Sequence, residues 1–184
     1  MLAEFPANQA FTVAWFGLMT LVWFGWAQED PPTKARLWLG IGSVLGLALA
    51  GFFGPAVVTR WSDGNIIDGA TGPVFAVVTV IEVLAALLGS IWLHRTGKGR
   101  WIAWWIAMVV ALHFIPLGLI VLGDLSVVIL GCVQAAMLLA IIPSLKRQSG
   151  TTSRVVGPMM GATLLIFGLA GAMAYAARWG LPPW

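Results

Sequence analysis

WIAWWIAMVVALHFIPLGLIVL, residues 101–122, decides how this chain is read. These 22 residues are almost unbroken apolar side chains, enough to cross a bilayer as one helix. One ionisable side chain, His113, falls near the midpoint, and Pro116 follows three residues later. The remaining apolar runs are expected to form helices that surround this one and supply partners for His113.

The composition agrees with lipid as the solvent. Of 184 residues, 60% are hydrophobic and 9% charged, and the mean hydropathy is +0.93. A soluble domain carries about 25% charged residues, so this chain has too little polar surface for water and no polar stretch long enough for a separate soluble domain. A net charge of +3 with a pI near 9.6 would suggest nucleic acid in a soluble protein. Here the basic residues lie between apolar runs and read as topology signals, with no nucleic-acid partner expected. The single cysteine, Cys132, excludes an intrachain disulfide and is expected to be a small core residue. The opening MLAEFPANQ has no lysine or arginine, so the first apolar run is expected to stay as a helix.

Six spans follow, at about 9–27, 37–59, 73–93, 101–122, 125–145 and 155–177, giving an all-α, polytopic bundle of six transmembrane helices in a single domain. Span 1 is rich in aromatics, and the eleven tryptophans of the chain are read mainly as an interfacial belt. Pro31 and Pro32 stop the helix after span 1. Gly42, Gly46, Ala50 and Gly54 put small side chains along one stripe of span 2, and Pro55 is expected to bend or end it. Pro73 suits the first turn of span 3. Asp124 is a plausible cap for span 5. Gly157 and Gly161, then Gly168 and Ala172, repeat the small-residue pattern on span 6.

Charge sets the expected orientation. The loops near 28–36, 94–100 and 146–154 hold eight lysines and arginines, and the opposite side holds two, Arg60 and Arg178. That bias places the three loops in the cytoplasm and both termini outside. The two halves of three spans would then have opposite topology, although no similarity between them is evident.

Three polar residues share one depth. Glu82 lies 12 residues before His94, His113 lies 12 after Trp101, and Gln134 lies 12 before Lys146. At 1.5 Å per residue each is about 18 Å from its cytoplasmic end, near the centre of a core about 30 Å thick. Short loops make spans 3 and 4, and 4 and 5, antiparallel neighbours. Thr79, Glu82, Ala86 and Gly89 share one face of span 3, while Val109, His113 and Pro116 share one of span 4. Pro116 frees a carbonyl near residue 112, and that bend would open a small cavity beside the imidazole.

Charge at this depth is costly, and no lysine or arginine within a span neutralises Glu82. A carboxyl and an imidazole in one dry pocket can pass a proton, in coupled transport or in acid–base catalysis. Isolated polar residues also tie membrane helices together, and a neutral amide such as Gln134 suits that role best. His94 reads as a solvated interfacial residue. The cluster Arg95, Lys98 and Arg100 is a candidate site for an anionic lipid headgroup. Arg60, Asp63, Asp68 and Asp124 would form an outer vestibule or loop salt bridges.

Several chemistries lack their residues. A transmembrane bis-histidine haem needs two deep histidines, a zinc site needs more ligands than Glu82 and His113, and a retinal Schiff base needs a lysine within a span. Walker, Rossmann and GxSxG patterns are missing too, so no cofactor and no metal is expected.

The segment AMVVALHFIPLG, residues 107–118, resembles a histidine–phenylalanine–x–proline pattern found in small uncharacterised bacterial multi-span proteins. The likeness covers one helix and implies a bacterial inner membrane but no activity. Three functions fit the residues. The first is binding or transport of a small molecule, with proton linkage through Glu82 and His113 and with Gln134 as a neighbour. The second is an intramembrane acid–base enzyme acting on a lipid or isoprenoid. The third is a non-catalytic subunit of a larger membrane complex. Expected partners are membrane lipids, a small-molecule ligand, and a second copy or another membrane subunit.

Overall fold

The computed structural model describes residues 4–31, 33–67, 69 and 71–182. It is all-α, with no strand among those residues, and six of its helical segments are long and apolar enough to cross a membrane. The elements in order are α1 (Pro6–Ala27), α2 (Arg36–Thr59), α3 (Thr71–Arg95), α4 (Ile102–Pro116), a π-helical segment (Leu117–Leu122), α5 (Leu125–Ala140), α6 (Ile142–Arg147) and α7 (Ser153–Trp179). Six hydrophobic spans in one chain define a multi-pass membrane protein.

The helices assemble as two packed groups. The first contains α1, α2 and α7, and the second α3, α4 and α5, with α7 also touching α4 and α5. The fourth span is therefore not the hub that its sequence suggests. The most closely embraced helix is α1, held between α2 and α7. The reason is backbone proximity. Gly17 and Gly46 face each other so closely that a Cβ on either would lie 2.6 Å from the other's carbonyl oxygen. Gly157 lies against Ala27 and the Trp23 carbonyl, and Gly161 against the Phe24 ring. In lipid, where burial of apolar surface gives no net drive, such close approach lets dispersion hold helices together. The glycine stripe of α2 is used only in part, because Gly54 has open space around it.

Proline acts differently at its several sites. Pro6 opens α1 at a position where no N–H is needed. Helix α2 runs through Pro55 to Thr59 rather than ending there. After Pro116 the chain widens into the six-residue π-helical segment, closed by Gly123 at φ 60°. A missing N–H in mid-span is one cause of such a local register change. Asp124 caps α5 as expected, its Oδ1 accepting from Ser126 N at 2.9 Å and from Ser126 Oγ at 2.6 Å. The fifth span is broken at Ile141, where α6 begins with Pro143 in its first turn.

The loops after spans 1, 3 and 5 meet on one face. Ser153 Oγ donates to Glu29 Oε2 at 2.9 Å, and Thr152 N and Oγ1 both donate to the Arg100 carbonyl, at 3.0 and 2.8 Å. On the opposite face Ile66 N donates to Asn8 Oδ1 at 2.9 Å, tying the loop before α3 to the start of α1. Arg60 and Asp63 form an ion pair there at 3.3 Å, Asp124 serves as the α5 cap, and Asp68 lies outside the described residues. Cys132 is exposed on the outer surface of α5, not in the core. A thiol behaves as a small apolar group, so lipid accommodates it as well as a protein interior does.

Candidate functional site

Helix α3 meets α4 through one notch. The Trp105 indole fills the space beside Gly89, and its Nε1 donates to the Ala85 carbonyl at 3.0 Å. Two turns further along the same seam, His113 Nε2 stands 3.5 Å from Glu82 Oε2. Both side chains are mostly buried, at 12% and 20% exposure. The expected antiparallel pairing of spans 3 and 4 thus brings the carboxyl and the imidazole together. The imidazole Nδ1 is buried and has no hydrogen-bond partner among the described residues. A buried polar atom without a partner is costly and marks a place for something else to bond.

The pair faces a cavity of about 300 Å³ between α1 on one side and α3 and α4 on the other. No Cα of α1 comes within 8 Å of one in α3 or α4, so side chains alone span the gap. Phe16 and Phe114 bridge it edge to face, with ring centroids 5.7 Å apart. The α1 wall comes from one face of that helix, from Asn8 through Thr12, Trp15, Met19 and Val22 to Trp26. Eighteen residues at 1.5 Å each make that wall about 27 Å long, close to the full hydrocarbon thickness. Trp15 and Val22 line the cavity yet are 44% and 47% exposed, so the cavity opens sideways between α1 and α3, toward lipid.

Polarity is uneven along the cavity. Asn8, Thr12, Thr79, Glu82 and His113 lie toward the start of α1 and the middle of the spans, whereas the other half is walled by Met19, Val22, Trp23, Ile106 and Val110. Among the described residues that line it, Glu82 and His113 are the ionisable ones.

Gln134 is not part of this lining. It is fully buried and turned toward α7, where its Nε2 donates to Thr163 Oγ1 at 2.7 Å. Rotation about the helix axis was not readable from the sequence. The basic cluster also divides. Arg100 faces the protein, its Nη2 donating to the carbonyls of Leu145 and Gln148, while Arg95 and Lys98 are exposed. Lys98 Nζ lies over the Trp92 ring, 5.4 Å from its centroid. Among the described residues no group of three or more His, Cys, Asp or Glu side chains is placed to hold a metal ion.

The aromatic face of α1 escaped the sequence reading. Trp15, Trp23 and Trp26 look like interfacial residues, yet all three line the cavity. Their recurrence with Asn8, Phe11, Thr12 and Met19 at spacings of three and four is the signal that marks one helix face. Comparison with protein-family models, curated proteins and solved structures finds no match.

Proposed function

We propose that this membrane protein takes a small, largely apolar molecule from the bilayer into the cavity between α1 and α3–α4, for binding or transport. The observation that carries this reading is the placement of Glu82 and His113, 3.5 Å apart, on the wall of an aromatic cavity open toward lipid. Ligand sites are mostly apolar concavities with a few convergent polar groups, and intramembrane ionisable residues mark function by default. The pair supplies the polar contact and a means of proton linkage. We further propose a bacterial inner membrane, on the resemblance of residues 107–118. The loops near 28–36, 94–100 and 146–154 are assigned to the cytoplasm, with both termini outside, on the distribution of lysine and arginine.

The test is native mass spectrometry of protein extracted gently with its own lipids. The expected result is a stoichiometric small molecule that is lost in Glu82→Gln and in His113→Ala, both variants eluting as monodisperse as wild type. An empty wild-type protein that retains only bulk phospholipid contradicts the reading. A second reading rests on the same carboxyl–imidazole pair, which can act as acid and base on a lipid or isoprenoid. It requires a candidate lipid to come back with altered mass or double-bond position after incubation. Binding without conversion counts against it.

A further inference from the structure

The chemistry of the cavity wall also selects the charge of the ligand. The cavity that the Glu82–His113 pair faces is also lined by the rings of Phe11, Trp15 and Phe16 from α1, Phe75 from α3 and Phe114 from α4, the last 5.6 Å from the His113 ring between centroids. Aromatic rings present negative faces, which attract cations, and do so most strongly in a desolvated site. Glu82 adds a carboxyl, and no lysine or arginine is found among the described lining residues. Among the described lining residues an anion would meet no positive charge other than a protonated His113. A neutral molecule would leave the rings' electrostatic preference unused.

We propose that the cavity binds a lipophilic monovalent cation, one whose charge is shielded by apolar groups, in exchange for a proton held by the Glu82–His113 pair. The inference rests on the cavity being a ligand site. The balance is one cation in and one proton out. The cation seats against the Glu82 carboxylate and the rings, and the pair releases its proton to water. The charge of the site is then the same before and after exchange, which matters at a depth where net charge is expensive. His113 Nδ1, buried and without a hydrogen-bond partner among the described residues, is available to relay that proton. The described lining residues from α1 (Asn8, Thr12 among them), α5 (Val127) and α7 (Leu164) do not titrate, and among the described lining residues Glu82 and His113 are the ones that can carry the linkage.

Two ions of the same shape and opposite charge provide the test. The full-length protein in a nonionic micelle is dialysed to equilibrium against tetraphenylphosphonium or tetraphenylborate, with protein-free micelles as the blank. Saturable binding of the phosphonium near one per chain is expected, at least about tenfold tighter than the borate. Because the cation competes with the proton, its affinity rises with pH, by up to about tenfold per unit where one proton is displaced per cation bound. Glu82→Gln removes that dependence and weakens binding by about tenfold or more. Trp15→Leu, at a lipid-facing position that tolerates change, weakens it several-fold and serves if Glu82→Gln does not fold. Equal binding of both ions, a preference for the borate, or cation binding that ignores pH overturns the proposal. If neither ion binds while a native small molecule co-purifies, the cation class is wrong and the ligand site stands. If neither binds and nothing co-purifies, the ligand site fails with it.

Discussion

Trp105 and Gly89 fit together as ring and notch, and that contact aligns α3 on α4. Among the described residues, helix α3 packs only on α4, on the 3-10 turn Gly99–Trp101 that leads into it and on the π-helical segment that continues it, and most of its large apolar side chains are exposed. The Glu82–His113 distance therefore depends on this one seam. Gly89→Leu forces the indole out of the notch and costs about 1–3 kcal/mol as an overpacking change. It also weakens ligand retention although residue 89 does not line the cavity. Unfolding in mixed micelles, together with native mass spectrometry, checks both effects. Unchanged retention in a destabilised variant would show that α3 finds its register without Trp105.

The crossing of α1 and α2 is set by Gly17 and Gly46, each against the other's backbone. A backbone carbonyl cannot rotate away as a side chain can, so Gly17→Ala is expected to cost about 1–3 kcal/mol. Gly54→Ala, on the same α2 helix but with open space around it, is expected to be neutral or to stabilise by up to about 1 kcal/mol through the helix preference of alanine. Denaturation of the two variants side by side is the measurement. Similar losses at both sites would mean that the tight crossing does not govern stability.

Arg100 holds two loops together. Its guanidinium bonds the carbonyls of Leu145 and Gln148, its own carbonyl accepts from Thr152, and its side chain lies over the Trp101 ring at 5.6 Å. Arg100→Lys keeps the charge but cannot reproduce the planar fork, and is expected to cost about 1–2 kcal/mol. Arg95→Gln and Lys98→Gln leave stability unchanged and reduce the anionic phospholipid that co-purifies. Lipid analysis beside thermal unfolding separates the two roles. Loss of lipid in Arg100→Lys without loss of stability would reverse the assignment.

Apolar run length carried most of the fold, because spans in lipid must be long and uncharged. The expected span ends fall within three residues of the helix ends except at Ile141, where the fifth helix breaks two residues before Pro143. The common level of Glu82 and His113 was legible too, since counting 1.5 Å per residue along two antiparallel helices needs no tertiary information. What the sequence did not carry was rotation. Glu82 and His113 face each other, while Gln134, expected at their depth, faces α7. In water an apolar stripe reports which side of a helix is inward, but in lipid both sides are apolar. Cys132 was misread for that reason, and the cavity-lining role of the α1 tryptophans was not seen. The grouping of α7 with α1 and α2 was hidden as well, because glycine stripes announce a close approach without naming the partner.

Gln134 and Thr163 give an asymmetric prediction. Gln134 Nε2 bonds Thr163 Oγ1, while Gln134 Oε1 is buried without a partner among the described residues. Gln134→Leu removes that unpaired acceptor along with the bond, so it is expected to cost at most about 1 kcal/mol. Thr163→Val keeps the shape but strands the amide, and is expected to cost more, about 1–3 kcal/mol. Neither is expected to alter ligand retention. Loss of the ligand in Gln134→Leu at unchanged stability would return Gln134 to the site.

Cys132 reports directly on which surface of α5 meets lipid. It is exposed beside Ile129 and Val133, which are 50% and 41% exposed, on a face that no other described helix covers. A side chain facing hydrocarbon is out of reach of a charged, water-soluble reagent. In sealed vesicles Cys132 is therefore expected to react slowly with a membrane-permeant apolar maleimide and not at all with a sulfonated thiosulfonate. Adding a denaturing detergent should make it reactive to both reagents. A cysteine placed at Ser149, in the loop after α6, gives the reference rate for a water-exposed thiol. Rapid reaction of Cys132 with the sulfonated reagent in intact vesicles would mean that this face of α5 lines a water-filled path. The packing of α5 against α4 would then leave an aqueous surface where the fold described here has lipid.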